Sequence, residues 1–347
     1  MSRRLFLSSV LLLLVTVVLF AWRTRPRWQA PPDASPDTQF SDWPKVPRKK
    51  TAQPATPPEV LAQGSWGVLG RRNLPDGTFE GPMSVLSLPN GDVLVLDQVH
   101  RRIVRIASRQ FVTVQTLRTD TAQDFVALAT GGFAVLDRFP EHGIEVYRPD
   151  TPHPSRLHVP GAHDLGGFTG FFSDEHGLYI ERDFLQVYKL ADARGTPLPV
   201  TNLLGRPGRG PWLLSAWFLD RPSWEATLHV YRRHDGEKLV ETKITGLPMP
   251  ILQLGLFAQD RRRQLYLVAV CGIEETNEPY RLLDQALFTI RFSKEGHETG
   301  RFQLPPLGRE GNTFRPLFLD DEGRLLLLRV TEADVSVERY TFGTPKG

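Results

Sequence analysis

An all-β ring of four-stranded antiparallel blades is the architecture this sequence predicts, and three observations carry the prediction. The first is a unit of four short apolar runs punctuated by turn residues. Its clearest copy runs from Gly81 to Leu88, turns at Pro89-Asn90-Gly91, continues through Asp92 to Asp97, and ends in Arg102–Ile106 and Phe111–Leu117. The second is recurrence. Apolar runs resembling Leu94–Asp97 end at residues 137, 181, 231, 268 and 328, as Ala134–Asp137, Leu178–Glu181, Leu228–Tyr231, Leu265–Val268 and Leu325–Leu328. Spacings of this order are those of β-propeller blades, and six units emerge. The third is composition: 29 Gly, 29 Pro and 10% aromatic residues suit short strands with frequent turns.

The elements follow in chain order. Leu5 to Trp22 is apolar and uncharged, between Arg3-Arg4 and Arg23, Arg25 and Arg27. Its 18 residues, rising about 1.5 Å each, span roughly 27 Å, close to the hydrocarbon thickness of about 30 Å. Leu19-Phe20-Ala21 lacks the small residue a signal peptidase needs. The single cysteine, Cys271, excludes a lipid-modified cysteine after the run. Residues 1–25 are therefore expected to be an uncleaved signal anchor, one N-terminal transmembrane helix. Residues 26–61, rich in Pro, Ser, Thr and Gln, read as a semi-extended tether, and residues 62–347 as the propeller domain.

Basic residues after the apolar run outnumber those before it, which taken literally leaves the domain in the cytoplasm. A short two-arginine N-terminus followed by a Leu/Val run is also a secretory anchor, and long domains translocate largely regardless of charge. The expected place is a bacterial-type cell envelope: a single-pass inner-membrane protein with its propeller outside the cytoplasm.

Within the domain, the second strands are apolar on both faces, as strands covered by neighbouring blades must be. Third strands such as Ile144–Tyr147, Leu185–Tyr188 and Val335–Glu338 alternate, which suits the rim. The last unit offers only three strands, so a closing strand is expected from Ser65 to Gly70 near the N-terminus, with Trp66 and Val68 on one side of the sheet and Leu69 on the other.

The segment Gly77-Thr78-Phe79-Glu80-Gly81-Pro82, the Asn90-Gly91 turn, Leu94–Asp97 and Arg102–Ile106 together resemble an NHL repeat. That family's unit has a Gly-x-Phe-x-x-Pro opening, an Asp/Asn-Gly turn, a Val-x-Asp strand end and an Arg-Ile strand. The second unit keeps Gly131-Gly132 and Leu136-Asp137, and the sixth keeps Asp321-Glu322-Gly323; the others share only the strand rhythm. The resemblance implies a six-bladed, NHL-like propeller. Related six-bladed propellers include lyases and lactone hydrolases with metals and histidines in the central channel.

Charge narrows the partners. Lys and Arg exceed Asp and Glu by three, too few to indicate nucleic-acid binding. Channel-facing positions should come from the starts of first strands and the ends of second strands. These supply Asp97, Asp124, Asp137, His163, Asp164 and Glu181, together with Arg315 and the Arg232-Arg233-His234 run. Carboxylates and a histidine converging on the axis could hold Ca²⁺ or Zn²⁺; the competing reading is that Asp at a strand end caps its own turn. No HxxxH, HExxH, CxxC or GxSxG motif is present. A long insertion, Gly272 to Gln285, carries Glu274, Glu275, Glu278, Tyr280 and Asp284 and is a candidate partner loop, with Cys271 at its base expected to be a core thiol. The sequence thus points to a binding module for a protein, peptide or envelope component, without a required cofactor. The alternative is a Ca- or Zn-dependent lyase or hydrolase.

Overall fold

The computed structural model describes residues 58–342 except 140–141, 160–166, 185, 220–221, 275–281, 306 and 308–310. The chain divides after Pro47, and everything described belongs to the second unit, Arg48–Gly347. The expected anchor and most of the tether lie outside the described residues. Among the described residues no helix is long and apolar enough to cross a membrane.

Six four-stranded antiparallel sheets form the domain. The first blade is Ser84–Ser87, Val93–Asp97, Arg102–Ala107 and Gln110–Thr116; the second is Ala122–Ala127, Phe133–Asp137, Ile144–Tyr147 and Ser155–Leu157. The third comprises Phe168–Asp174, Gly177–Arg182, Gln186–Ala191 and Pro197–Leu203, and the fourth Arg206–Pro207, Trp212–Trp217, Ala226–Arg232 and Lys238–Ile244. The fifth comprises Ile251–Gln259, Leu265–Glu274, Leu282–Phe292 and Glu298–Leu304. Leu317–Leu319, Leu325–Val330 and Asp334–Tyr340 make the sixth, and its fourth strand is Glu59–Ser65 from the start of the domain. Innermost strands contact those of the adjacent blades, except that Ile251–Gln259 of the fifth blade meets the second strand of the fourth, Trp212–Trp217.

Second strands such as Val93–Asp97 and Leu265–Cys271 are buried along their length because a blade covers each face, while Trp212–Trp217 is only partly so. Their apolar side chains fill the spaces between blades. Among the described residues, apolar clusters occupy the seams between the first and second, second and third, fourth and fifth, fifth and sixth, and sixth and first blades. The third–fourth seam is held differently, by two arginines described below.

The ring closes through the N-terminal end, but with a different segment from the one expected. Glu59 to Ser65 pairs with Asp334 to Arg339. The strand thus begins within the stretch assigned to the tether. The expected Ser65–Gly70 strand is instead a tight turn, with Gly67 at φ 109° and the Val68 N–H donating to Ser65 O at 3.2 Å. Trp66 stands edge-on to Phe79, 5.4 Å between ring centroids, and its indole N–H donates to Glu332 O at 2.8 Å. Leu69 is buried and Val68 exposed, so Trp66 and Val68 do not share one buried face. A short sheet, Arg72–Asn73 with Phe79–Glu80 and, in parallel, Gly311–Asn312, joins the lead-ins of the first and sixth blades.

Two further expectations are corrected. Leu228–Tyr231 lies in the third strand of its blade; the second strand is Trp212–Trp217. The innermost strand there is only Arg206–Pro207, interrupted by Pro207 and Gly208, so sequence registration begins one strand late. The two ends of the insertion after Cys271 lengthen the hairpin, with Gly272, Ile273 and Glu274 paired to Gln285, Asp284 and Leu282; residues 275–281 lie outside the described residues. Cys271 is fully buried, and burial pushes its thiol up to about 12.

Turn chemistry fixes the blade hairpins. Gly132 has φ 83°, and a Cβ there would lie 2.1 Å from Tyr147 O. Gly77 has φ 85° with open space around it. Gly132→Ala is expected to destabilise the domain by about 1–3 kcal/mol, and Gly77→Ala by about 1 kcal/mol from its backbone alone. Denaturant melts of the pair measure the difference, and equal losses would remove the clash as its cause.

Candidate functional site

Antiparallel pairing brings the start of each innermost strand and the end of each second strand to one face. Ser84 lies opposite Leu96, Ala122 opposite Asp137, and Phe168 opposite Arg182. This upper face holds the sequence-selected carboxylates that are described.

Each of them already accepts hydrogen bonds from groups of the domain. Asp97 accepts from the Gly70 N–H at 3.0 Å and Arg102 Nε at 2.9 Å, with His100 Nδ1 at 3.0 Å. Asp137 accepts from the Thr121 hydroxyl at 2.8 Å and the Phe139 N–H at 2.9 Å. Glu181 receives both Arg206 Nε and Nη2 at 2.6 Å, and the Thr169 hydroxyl at 2.9 Å. Among the described residues no three His, Cys, Asp or Glu side chains are placed to hold a metal ion. The expected convergence on the axis is therefore not found for Asp97, Asp124, Asp137 and Glu181: their side chains cap turns and pair with arginines instead. His163, Asp164, Glu275, Glu278 and Tyr280 lie outside the described residues. Glu274 and Asp284 sit on the fifth-blade hairpin.

Asp124 is the most unusual of the group. It follows a bulge in the innermost strand of the second blade and is fully buried. Oδ1 accepts from Arg315 Nη2 and from the Phe125 N–H, each at 2.8 Å. Arg315, at the approach to the sixth blade, also donates to Phe125 O at 2.6 Å. Asp124 Oδ2 is buried with no hydrogen-bond partner among the described residues. Burial holds the carboxyl above its ordinary range, against the opposing pull of Arg315 and the Phe125 N–H. A carboxyl raised in the folded state binds a proton that the unfolded chain has released. Its contribution to stability is therefore complete below the unfolded value near 3.8 and is lost as pH rises through the folded value. The stability of wild type relative to Asp124→Asn should fall with rising pH across that window. Paired melts between pH 4 and 7 check this, and a difference that grows with pH would reverse the sign.

Sequence reasoning missed the arginines that complete this face. Arg206 is nearly buried against Glu181 and lies over Phe257, 3.8 Å from the ring centroid, and over Phe172 at 5.0 Å. Buried Glu80 binds both Arg72 and Arg138, and Arg72 also reaches Asp120 at 3.0 Å. On the opposite face, Arg233 pairs with Asp174 and donates to the Tyr179 hydroxyl at 2.7 Å. The Arg232-Arg233-His234 run thus belongs to a third-to-fourth-strand loop, away from Asp97. Partners such as Arg206 for Glu181 and Arg315 for Asp124 are not revealed by spacing, because they come from different blades.

No protein-family model matches the chain, and no curated protein does. Among solved structures the chain is similar to propeller proteins. A streptogramin B lyase structure is 10% identical, covering 82% of this chain and 100% of that one, with a TM-score of 0.40. A gluconolactonase from Xanthomonas campestris is 12% identical, covering 85% and 98%, with a TM-score of 0.43. BamB from Moraxella catarrhalis is 9% identical, covering 83% and 99%, with a TM-score of 0.38. Similarity at this level carries no inference about activity. The chain is a six-bladed β-propeller with four-stranded antiparallel blades.

Proposed function

We propose that this chain is a membrane-anchored, extracytoplasmic binding or scaffold module for a protein, peptide or envelope component, built on an NHL-like propeller. One observation carries the reading. The upper-face carboxylates are committed to arginines and turn caps, and the pairs Arg206–Glu181 and Arg315–Asp124 tie separate blades together. A face organised this way commits its described carboxylates to structure. The apolar segment Leu5–Trp22 and the Pro-rich stretch after it would hold the domain near a bilayer, which suits binding at a fixed location. The NHL-like affinity rests on the first blade's turn and strand-end residues.

Elemental analysis of the purified protein tests the binding reading against the metal-dependent alternative. Stoichiometric Ca or Zn surviving dialysis would replace the binding reading with the lyase or hydrolase reading. A reporter fused at the C-terminus, active only outside the cytoplasm, tests the orientation.

A further inference from the structure

The turns joining first to second strands lie on the lower face, opposite the upper one, and four of them share one construction. The Gly91 N–H donates to Leu88 O at 2.9 Å. The Gly131 N–H to Leu128 O, the Gly323 N–H to Asp320 O and the Arg263 N–H to Asp260 O repeat that bond at 3.0 Å. The donor residue is left-handed in every case, with φ values of 88°, 85°, 75° and 63° in the order given. Glycine takes that backbone freely, whereas a residue with a Cβ is strained in it. The fifth blade therefore holds Arg263 where the first, second and sixth hold glycine, against the preference of the turn. Strain retained by an exposed side chain points to a use for that side chain.

Arg263 does not stand alone. Arg261, Arg262 and Arg263 are consecutive and all exposed, on a turn described throughout. Among the described residues none of the three guanidinium groups lies within ion-pair distance of a carboxylate; that of Arg263 lies over the Trp212 ring, 5.5 Å from its centroid. The surrounding carboxylates are engaged elsewhere. Asp260 is buried and accepts from the Gln264 N–H at 2.8 Å and the Tyr266 hydroxyl at 3.1 Å. The turn of the sixth blade is adjacent, since the Arg261 N–H donates to Asp321 O at 2.9 Å. In that turn the Asp321 side chain is bound to Arg209, and Asp320 to Arg324. Exposed Glu322 is what remains against three positive charges.

A guanidinium triplet matches phosphate, which accepts paired N–H donors from arginine. The source of the phosphate follows from the path of the chain. Glu59 opens the closing strand and pairs with Arg339, and the adjacent Tyr340 pairs with Leu325 at the lower end of its strand. The domain is thus entered from its lower side, the side that carries the triplet, and the segment leading there contains Leu5–Trp22.

We propose that Arg261, Arg262 and Arg263 form a headgroup-binding surface for anionic phospholipid, which turns the lower face of the propeller toward the bilayer. This inference rests on the reading of the chain as membrane-anchored.

Energy transfer in vesicles tests it. The full-length protein is reconstituted into phosphatidylcholine vesicles with or without phosphatidylglycerol, each carrying an acceptor dye on a lipid headgroup. A donor dye is attached at His297→Cys, in an exposed lower loop, or at Ala333→Cys, in an exposed upper loop; Cys271 is buried and takes none. The expected result is stronger transfer from position 297 than from 333 in phosphatidylglycerol vesicles, falling to the phosphatidylcholine level in high salt. Arg261→Gln, Arg262→Gln and Arg263→Gly should each lower the ratio of apposed to free domain about fivefold. Arg263→Gly should also raise Tm, because glycine relieves the left-handed strain. Transfer indifferent to phosphatidylglycerol, or unchanged in the arginine variants, overturns the surface. So does transfer abolished by inorganic phosphate but not by chloride of equal ionic strength, which marks a discrete anion site. In those cases the anchor stands if the protein still floats with both kinds of vesicle. Flotation with phosphatidylglycerol vesicles alone keeps the surface and removes the anchor. A protein that floats with neither overturns both readings.

Discussion

Replacing Arg206 with alanine should destabilise the propeller by about 3–5 kcal/mol, the cost of leaving a buried carboxylate without its partner. Glu181 is almost fully buried, and both its oxygens accept from Arg206. After the substitution only the Thr169 hydroxyl remains as a described donor to it. Contact with Phe257 and Phe172 is lost as well. The double variant Arg206→Met with Glu181→Met removes both charges and should recover most of the loss, because buried ion pairs replaced by apolar groups are often neutral. Urea melts of the three proteins decide it. A double variant as unstable as Arg206→Ala alone would assign the effect to packing rather than to the orphaned charge.

The second large effect concerns ring closure. A chain beginning at residue 58 keeps the whole closing strand Glu59–Ser65, while one beginning at residue 67 lacks it. The shorter chain exposes the edge of Asp334–Tyr340, where Val335 and Val337 are fully buried in the intact domain. It also loses Trp66, which packs on Phe79. The expected cost is on the order of 5 kcal/mol, comparable to the whole stability of many domains, together with aggregation through the open edge. Thermal melts and light scattering of the two chains measure it. Indistinguishable melting temperatures would mean that the sixth blade is stable with three strands.

The sequence made the blade count legible because fully covered second strands leave uninterrupted apolar runs, and five of the six runs used for registration are second strands. The fourth failed where Arg206–Pro207 shrinks to two residues and Leu228–Tyr231 imitates the pattern one strand later. Closure from the N-terminus followed from counting strands in the last blade. The closing segment was misplaced because Trp66, Val68 and Leu69 look like a strand, while Gly67 turns the chain between them. The candidate site was less legible. Asp97, Asp137 and Glu181 were found from strand ends, but whether they face a ligand or an arginine depends on residues such as Arg206, and on the bonds Arg102 and Thr121 make. Arg263 carries no sequence sign of its left-handed backbone.

The seam between the third and fourth blades has a consequence for motion. Among the described residues apolar clusters fill five seams, whereas this one is bridged by Arg206–Glu181 at one face and Arg233–Asp174 at the other. The attraction within an ion pair falls steeply once water enters and raises the local dielectric, whereas apolar surface is driven back together by water. The ring should therefore have one preferred line of parting, at which it opens into a single arc of six blades. The amide protons of Arg206, Leu213 and Leu214 would exchange through that parting before those of Val93–Asp97. A circle with one such line behaves as a clasp, and whatever binds across the fourth blade would also hold it shut.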